Sequence, residues 1–258
     1  MNSIAFPDCL TAAMVKSFRQ LPRGSTHPHD GWINNRHYVL KCGSYSTTSS
    51  DAHVHNEFVA DEFLRTAGCN VPLSREYRAD IGNGLETVRL AQFVEGAKEL
   101  LIGWNEVDAD GKKKIRRQVI ESYPLQAFIF GTDTYQHSGI IDNTLVDNEN
   151  NIWFIDNGAS FHFRARGGDR SEFWSRDPKK VGEWFFELKN HRSQGDLRRL
   201  LGMTTDEELR QAAAKYDFVS LVKTLPADYQ RKELVECAAA LNEWSGYNKN
   251  SKLARNKI

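Results

Sequence analysis

The hydrophobic pattern of this chain shifts its balance near residue 95, from strands with one helix among them to mostly helices. Trp32 to Lys41 holds two runs rich in β-formers around Asn34-Asn35, a hairpin ending in a lysine. Ala52 to Ala67 places Val54, Phe58, Val59, Phe63 and Leu64 at helical spacing, and Gly68 stops that helix. Ser74 to Asp80 and Glu86 to Phe93 read as strands around Gly82-Asn83-Gly84, and Val94-Glu95-Gly96 reads as a break between lobes.

After the break, Lys112 to Gly131 forms a long helix with Pro124 as a kink. Thr144 to Asp147 and Ile152 to Ile155 form a second hairpin, turning at residues 148–151. Helical patterns follow at 178–190, 205–222 and 227–244. Strands first and helices afterwards predict an α+β architecture in two lobes. The expected division is an N-terminal lobe over 1–95, a C-terminal lobe over 96–246 and a flexible tail over 247–258.

With 258 residues, the chain is long enough to bury a substantial core and short enough to leave little room for a separate regulatory domain. Its 34 basic and 34 acidic residues cancel, so no global field draws it to nucleic acid or an anionic membrane. Cys9, Cys42, Cys69 and Cys237 are too scattered for a zinc knuckle or a disulfide framework, which favours a reducing, cytoplasmic setting. No apolar run approaches the ~20 residues that span a bilayer, so no membrane insertion is expected.

The residues that suit chemistry fall in one order. Lys41 ends a strand, where an ammonium group can reach phosphates, although a strand-end lysine can equally extend into water. Glu57, on the next helix, can hold it by a salt bridge. Asn143 stands before one strand of the second hairpin and Asp156 just after the other. An amide oxygen and a carboxylate brought together there suit Mg²⁺, while the same residues also serve as ordinary turn formers.

The runs His37 to Lys41, His55-Asn56-Glu57-Phe58, Gln92-Phe93-Val94-Glu95-Gly96, Asp133, Asp142-Asn143-Thr144-Leu145-Val146-Asp147 and Ile155-Asp156-Asn157-Gly158 resemble the atypical branch of the protein-kinase superfamily. The likeness is to the HipA-type toxin kinases and the phosphatidylinositol-kinase-like bacterial proteins, over about residues 20–165. It implies a two-lobed protein-kinase-like fold with a small β-rich N-lobe and a mostly helical C-lobe. It implies ATP and Mg²⁺ as cofactors, with Lys41 as the ATP-anchoring lysine, Glu57 as its helical partner and residues 91–95, Gln92, Phe93 and Val94 among them, as the adenine-holding hinge. Asn143 and Asp156 would be the metal pair, with Asp156-Asn157-Gly158 in place of Asp-Phe-Gly.

Two parts depart from that pattern. The position five before Asn143 is Ser138, so the catalytic aspartate falls to Asp133, with His137 as the fallback base. No GxGxxG is present; Gly24, Ser25, Thr26 and Gly31 are the residues left to face phosphate. Arg164, Arg166 and Arg170 hold the place of an activation segment, where they suit an acidic substrate or a solvated loop. Trp174, Trp184, Phe185 and Phe186 read as C-lobe core.

The expectation from the resemblance is a minimal Ser/Thr protein kinase of bacterial toxin or injected-effector type. Its partners would be a protein substrate and an antitoxin or host protein. A lipid or small-molecule acceptor, AMP transfer, and a nucleotide-binding pseudokinase module stay open beside it.

Overall fold

The computed structural model describes residues 6–22, 27–45, 50–130, 143–163, 177–180, 183 and 204–247. Within them the chain is α+β, with a β-rich N-terminal sheet and a helical C-terminal part.

The first sheet is antiparallel throughout. It comprises β1 (Arg19–Gln20), β2 (His29–Ile33), β3 (Arg36–Cys42), β4 (Ser74–Asp80) and β5 (Leu85–Gln92) in the order β1-β2-β3-β5-β4. The β2–β3 turn is the expected Asn34-Asn35 pair, with φ of 50° and 60°, as a two-residue hairpin turn of type I′ requires. The β4–β5 turn likewise rests on Gly82 and Gly84 at φ +118° and +95°.

Side-chain alternation decides what each sheet face does. Tyr38, Leu40 and Cys42 of β3 and Val88 and Leu90 of β5 join Leu10, Val15 and Phe18 in an outer apolar core. The first helix, α1 (Ala12–Val15), supplies one of those residues. Val39 and Lys41, and Arg89 and Ala91, point the other way, into a cleft.

The helix α2 (Asp51–Thr66) begins at Ser50, whose side chain accepts a hydrogen bond from His53 N. Its Val59, Ala60, Phe63 and Leu64 pack into the C-terminal core, while Glu57 and Asp61 turn toward the sheet. Nine of its residues are buried on more than one side, which explains its low amphipathicity.

The C-terminal part opens with β6 (Lys98–Glu99), α3 (Leu100–Glu106) and α4 (Ala109–Ile129). The sequence reading missed β6 and α3 and began α4 three residues late. Asp108 caps α4 through Gly111 N, and the helix runs on through Pro124 to a left-handed cap at Phe130. Next, β7 (Thr144–Val146) and β8 (Ile152–Phe154) form the second hairpin, and β6 joins it as a third strand.

The helical reading of 205–222 divides into α5 (Asp206–Ala213), held by a Thr205/Glu208 capping box, and α6 (Phe218–Val222). Asp217 separates them by capping α6 through Ser220 N. The last helix, α7 (Lys232–Ser245), starts later than the pattern suggested and ends at Gly246 with φ +71°. Its Leu234, Cys237, Ala238 and Leu241 pack with Ile115, Val119, Phe128 and Phe154 in one core. Of the helical pattern at 178–190, the described part is a 3-10 turn at Pro178–Lys180 and one helical residue at 183. Among the described residues, no helix is long and apolar enough to cross a membrane.

Candidate functional site

The cleft measures about 360 Å³ and lies between the first sheet and the β7–β8 hairpin. Its apolar lining comes from Leu21, Pro28, Val39, Pro72, Ala91, Phe93, Val94, Ala97, Leu145 and Ile155, and its polar lining from Lys41, Glu57, Arg89, Gln92, Glu99, Asn143 and Asp156. A mainly apolar cleft with a few convergent polar groups is the usual form of a small-ligand site.

Lys41 is buried and held on two sides. Its Nζ donates to Glu57 Oε1 and Oε2 at 2.9 and 2.8 Å, and to Asp156 Oδ1 at 2.5 Å. Burial disfavours the charged ammonium, but Asp156 and Glu57 outweigh it and leave the Lys41 pKa raised. Burial also works against the Asp156 carboxylate, and Lys41 overrides that to hold its pKa below the usual range.

The sequence reading missed a second cation. Arg89 of β5 is the cross-strand neighbour of Lys41 and is 3% exposed. It reaches Glu57 at 3.1 Å and donates Nε to Asp61 Oδ2 at 3.0 Å, with Nη2 on the same oxygen. Burial pushes the Asp61 carboxyl up, and the guanidinium, which stays charged, pulls against it. The signal was present: residues 86–91 of β5 are all buried, and an arginine inside such a strand needs a buried acid. Asp61, four residues beyond Glu57, stands on the same helix face.

Asn143 and Asp156 both line the cleft, brought to the same end of the hairpin by its register. Thr144 pairs with Phe154, and Ile155 N donates to Asn143 O at 3.0 Å, which places Asp156 immediately past the end of the ladder. Asp156 itself sits at φ +54°, in the left-handed region where a non-glycine residue is strained. Its neighbours are fixed from α2: Asn157 Nδ2 donates to Asp61 Oδ1, and Asn56 Nδ2 donates to Gly158 O and Ser160 O, each at 2.9 Å. Gly158 leaves no room for a side chain, since a Cβ there would meet His53 Nε2 at 2.6 Å.

These residues fit a divalent cation on two grounds. Among the described residues, two cations, Lys41 and Arg89, face three carboxylates, Glu57, Asp61 and Asp156, so one negative charge is in surplus. The most accessible of the three is Asp156, whose side chain is 30% exposed and shares the cleft wall with Asn143. Among the described residues, no group of three or more His, Cys, Asp or Glu side chains is arranged to hold a metal ion.

Gln92, Phe93 and Val94 line the cleft. Gln92 N donates to Leu73 O and Phe93 N to His37 O, while the Phe93 ring stacks on His37 at 4.0 Å. His37 also faces Asp30 and Glu95, each at 2.8 Å, tying the 93–95 segment to β2 and β3. Phe93 and Val94 enter the cleft directly.

Gly31 does not face the cleft as the sequence suggested. It lies in β2 against Phe18, where a Cβ would stand 2.3 Å from the ring. Leu21 N donates to Pro28 O at 2.8 Å and closes the neck of the segment that contains Gly24 and Ser25. Gly24, Ser25 and Thr26 lie outside the described residues, as do Asp133, His137, Ser138, Asp142, Arg164, Arg166, Arg170, Trp174, Trp184, Phe185 and Phe186.

No family model matches this chain, and no curated protein does. Among solved structures, one match is a pseudokinase in its apo form, 12% identical, with a TM-score of 0.40 over 93% of this chain and 97% of that one. A likeness of that size establishes neither a family nor an activity.

Proposed function

We propose that the chain is an ATP- and Mg²⁺-dependent phosphotransferase with a two-lobed, protein-kinase-like arrangement, acting on a Ser or Thr hydroxyl of a protein. The observation that carries this reading is Lys41 fixed between Glu57 and Asp156 on the wall of a mainly apolar cleft. The lobes would divide near residue 95, and the tail beyond 246 would take no part.

In this reading Phe93, Val94, Ala97 and Leu145 enclose the purine. The Gln92 and Phe93 amides are already committed, which leaves the Val94 N–H to meet the base edge. Lys41, kept charged by its two acids, would serve the α- and β-phosphates with Glu57 keeping it in place, and Asp156 would be the carboxylate available to a cation. Asn143 and Asp156 would hold that cation, which when bound screens phosphate charge. Asp133 would orient the attacking hydroxyl and accept its proton, with His137 as the other candidate.

The test is incubation of the purified protein with ATP labelled at the γ- or the α-phosphate, together with protein substrates. Transfer of γ-label, lost by about a hundredfold or more in Asp156→Ala and Lys41→Met variants that still fold, supports the reading. Transfer of α-label would replace it with AMP transfer. Nucleotide binding with transfer of neither label would replace it with a binding module.

A further inference from the structure

The cleft has a second tier of polar residues that touches no ligand position and yet controls one. Asp156 occupies a strained left-handed backbone conformation, which persists only where its surroundings over-determine it. The residue after it, Asn157, is 2% exposed. An asparagine buried so deeply is costly unless its amide is held: its Nδ2 donates to Asp61 Oδ1 at 2.9 Å, while its Oδ1 has no hydrogen-bond partner among the described residues, so the Asp61 bond alone fixes the amide. Asp61 is 0% exposed and is itself immobilised: its other oxygen takes Arg89 from β5, and Ser74 Oγ of β4 stands 3.4 Å away.

We propose that Asp61 and Asn157 form a polar catch, two positioning residues that hold the Asp156 carboxylate at the cation site by anchoring its neighbour to helix α2 and the sheet. An apolar pair of the same size would bury more cheaply but would leave the segment free to rotate about its own axis. A donor facing an acceptor allows one orientation. Asn56 reinforces it five residues earlier on α2, through Gly158 O and Ser160 O, and Tyr229 OH donates to Asn56 Oδ1 at 3.1 Å. The catch therefore makes the cation site depend on the seating of α2, the same helix that presents Glu57 to Lys41.

The inference rests on the proposed nucleotide site, and its test separates the two. Binding of a fluorescent ATP analogue is titrated with Mg²⁺ for wild type, Asn157→Leu, Asn157→Asp and Asp61→Asn. Wild type should show Mg²⁺-dependent binding. Asn157→Leu should keep its metal-free nucleotide affinity within about twofold but need about tenfold more Mg²⁺ for half-saturation, as expected for one lost buried hydrogen bond. Asn157→Asp, which sets an acceptor against Asp61, should be as impaired. Asp61→Asn keeps an acceptor for Asn157 and should retain more of the Mg²⁺ response than Asn157→Leu, although it costs stability at Arg89.

An unchanged Mg²⁺ requirement in Asn157→Leu overturns the catch while leaving the proposed function standing. Failure of wild type to bind nucleotide overturns the proposed function, and the catch is then read from hydrogen exchange alone. In wild type, the amides of 156–160 should exchange as slowly as the centre of α2, and fast exchange there sinks the idea even if Asn157→Leu does not fold.

Discussion

Lys41 and Arg89 are cross-strand partners on β3 and β5, and both reach the same face of α2, where they meet Glu57 and Asp61 one helical turn apart. The pairing joins sheet and helix by charge rather than by apolar contact, and it sets the cost of disturbing either strand. Removing one member of a buried ionic group strands its partners without water.

Arg89→Met should accordingly destabilise the fold by about 3–5 kcal/mol in urea denaturation. The double variant Arg89→Met/Asp61→Leu, which removes the stranded acid as well, should recover a large part of that loss. Equal instability of the single and double variants would show that the group contributes through packing alone.

A bulky residue at position 97 should block the cleft. Ala97 is half-buried on the wall between Val94 and Glu99, so Ala97→Trp fills the slot without entering either core. Affinity for an ATP analogue should fall by about tenfold or more, equivalent to roughly 1.4 kcal/mol, with little change in the thermal midpoint. Calorimetric titration beside a melting curve separates the two effects.

Tyr229→Phe should cost about 1 kcal/mol, the net worth of its hydroxyl bond to Asn56. Asn56→Leu should cost more, because it strips the Gly158 and Ser160 carbonyls of their buried donor. Chemical denaturation gives both values, and hydrogen exchange should loosen at 158–161 in Asn56→Leu first.

His55 gives the fold a pH-dependent contribution. A hydrogen bond to Glu76 at 2.8 Å, acting against partial burial, raises its pKa above the ordinary histidine value. The native state then holds the proton more tightly than the unfolded chain does. Stability from this pair is fully present below about pH 6.5, the unfolded value, and is lost as pH rises through the native one. Melting curves taken between pH 5.5 and 8.5, a span of roughly three units, should show a fall in wild type that Glu76→Gln flattens. An identical slope in both proteins would remove His55 as its source.

Local sequence was enough for the elements whose signals are local. Asn34-Asn35, Gly82 and Gly84, Gly68 and the period of Val54 to Leu64 each depend on the conformational range of one residue or the spacing of a few, and the turns and α2 formed where those signals lie. The strand-to-helix order likewise appeared as an α+β chain. Signals failed where a segment was short or its reason distant: β6 exists because Lys98 and Glu99 pair with Val146 and Leu145, and nothing within two residues foretells that. Asp217 split the pattern at 205–222 by offering its side chain to a helix start, a competition that hydrophobic spacing does not register.

At the site, the sequence alone determined which residue types were available: a lysine at a strand end, a glutamate on the next helix, an amide and a carboxylate bracketing a hairpin. Tertiary structure alone decided that Lys41, Glu57 and Asp156 share hydrogen bonds, that Gly31 packs on Phe18 away from the cleft, and that Arg89, Asp61 and Asn157 belong to the same network. The physical reason is distance along the chain. A contact such as Lys41 to Asp156 spans 115 positions and is fixed by sheet register, hairpin register and the seating of α2 together, none of which is a property of the residues taken one at a time.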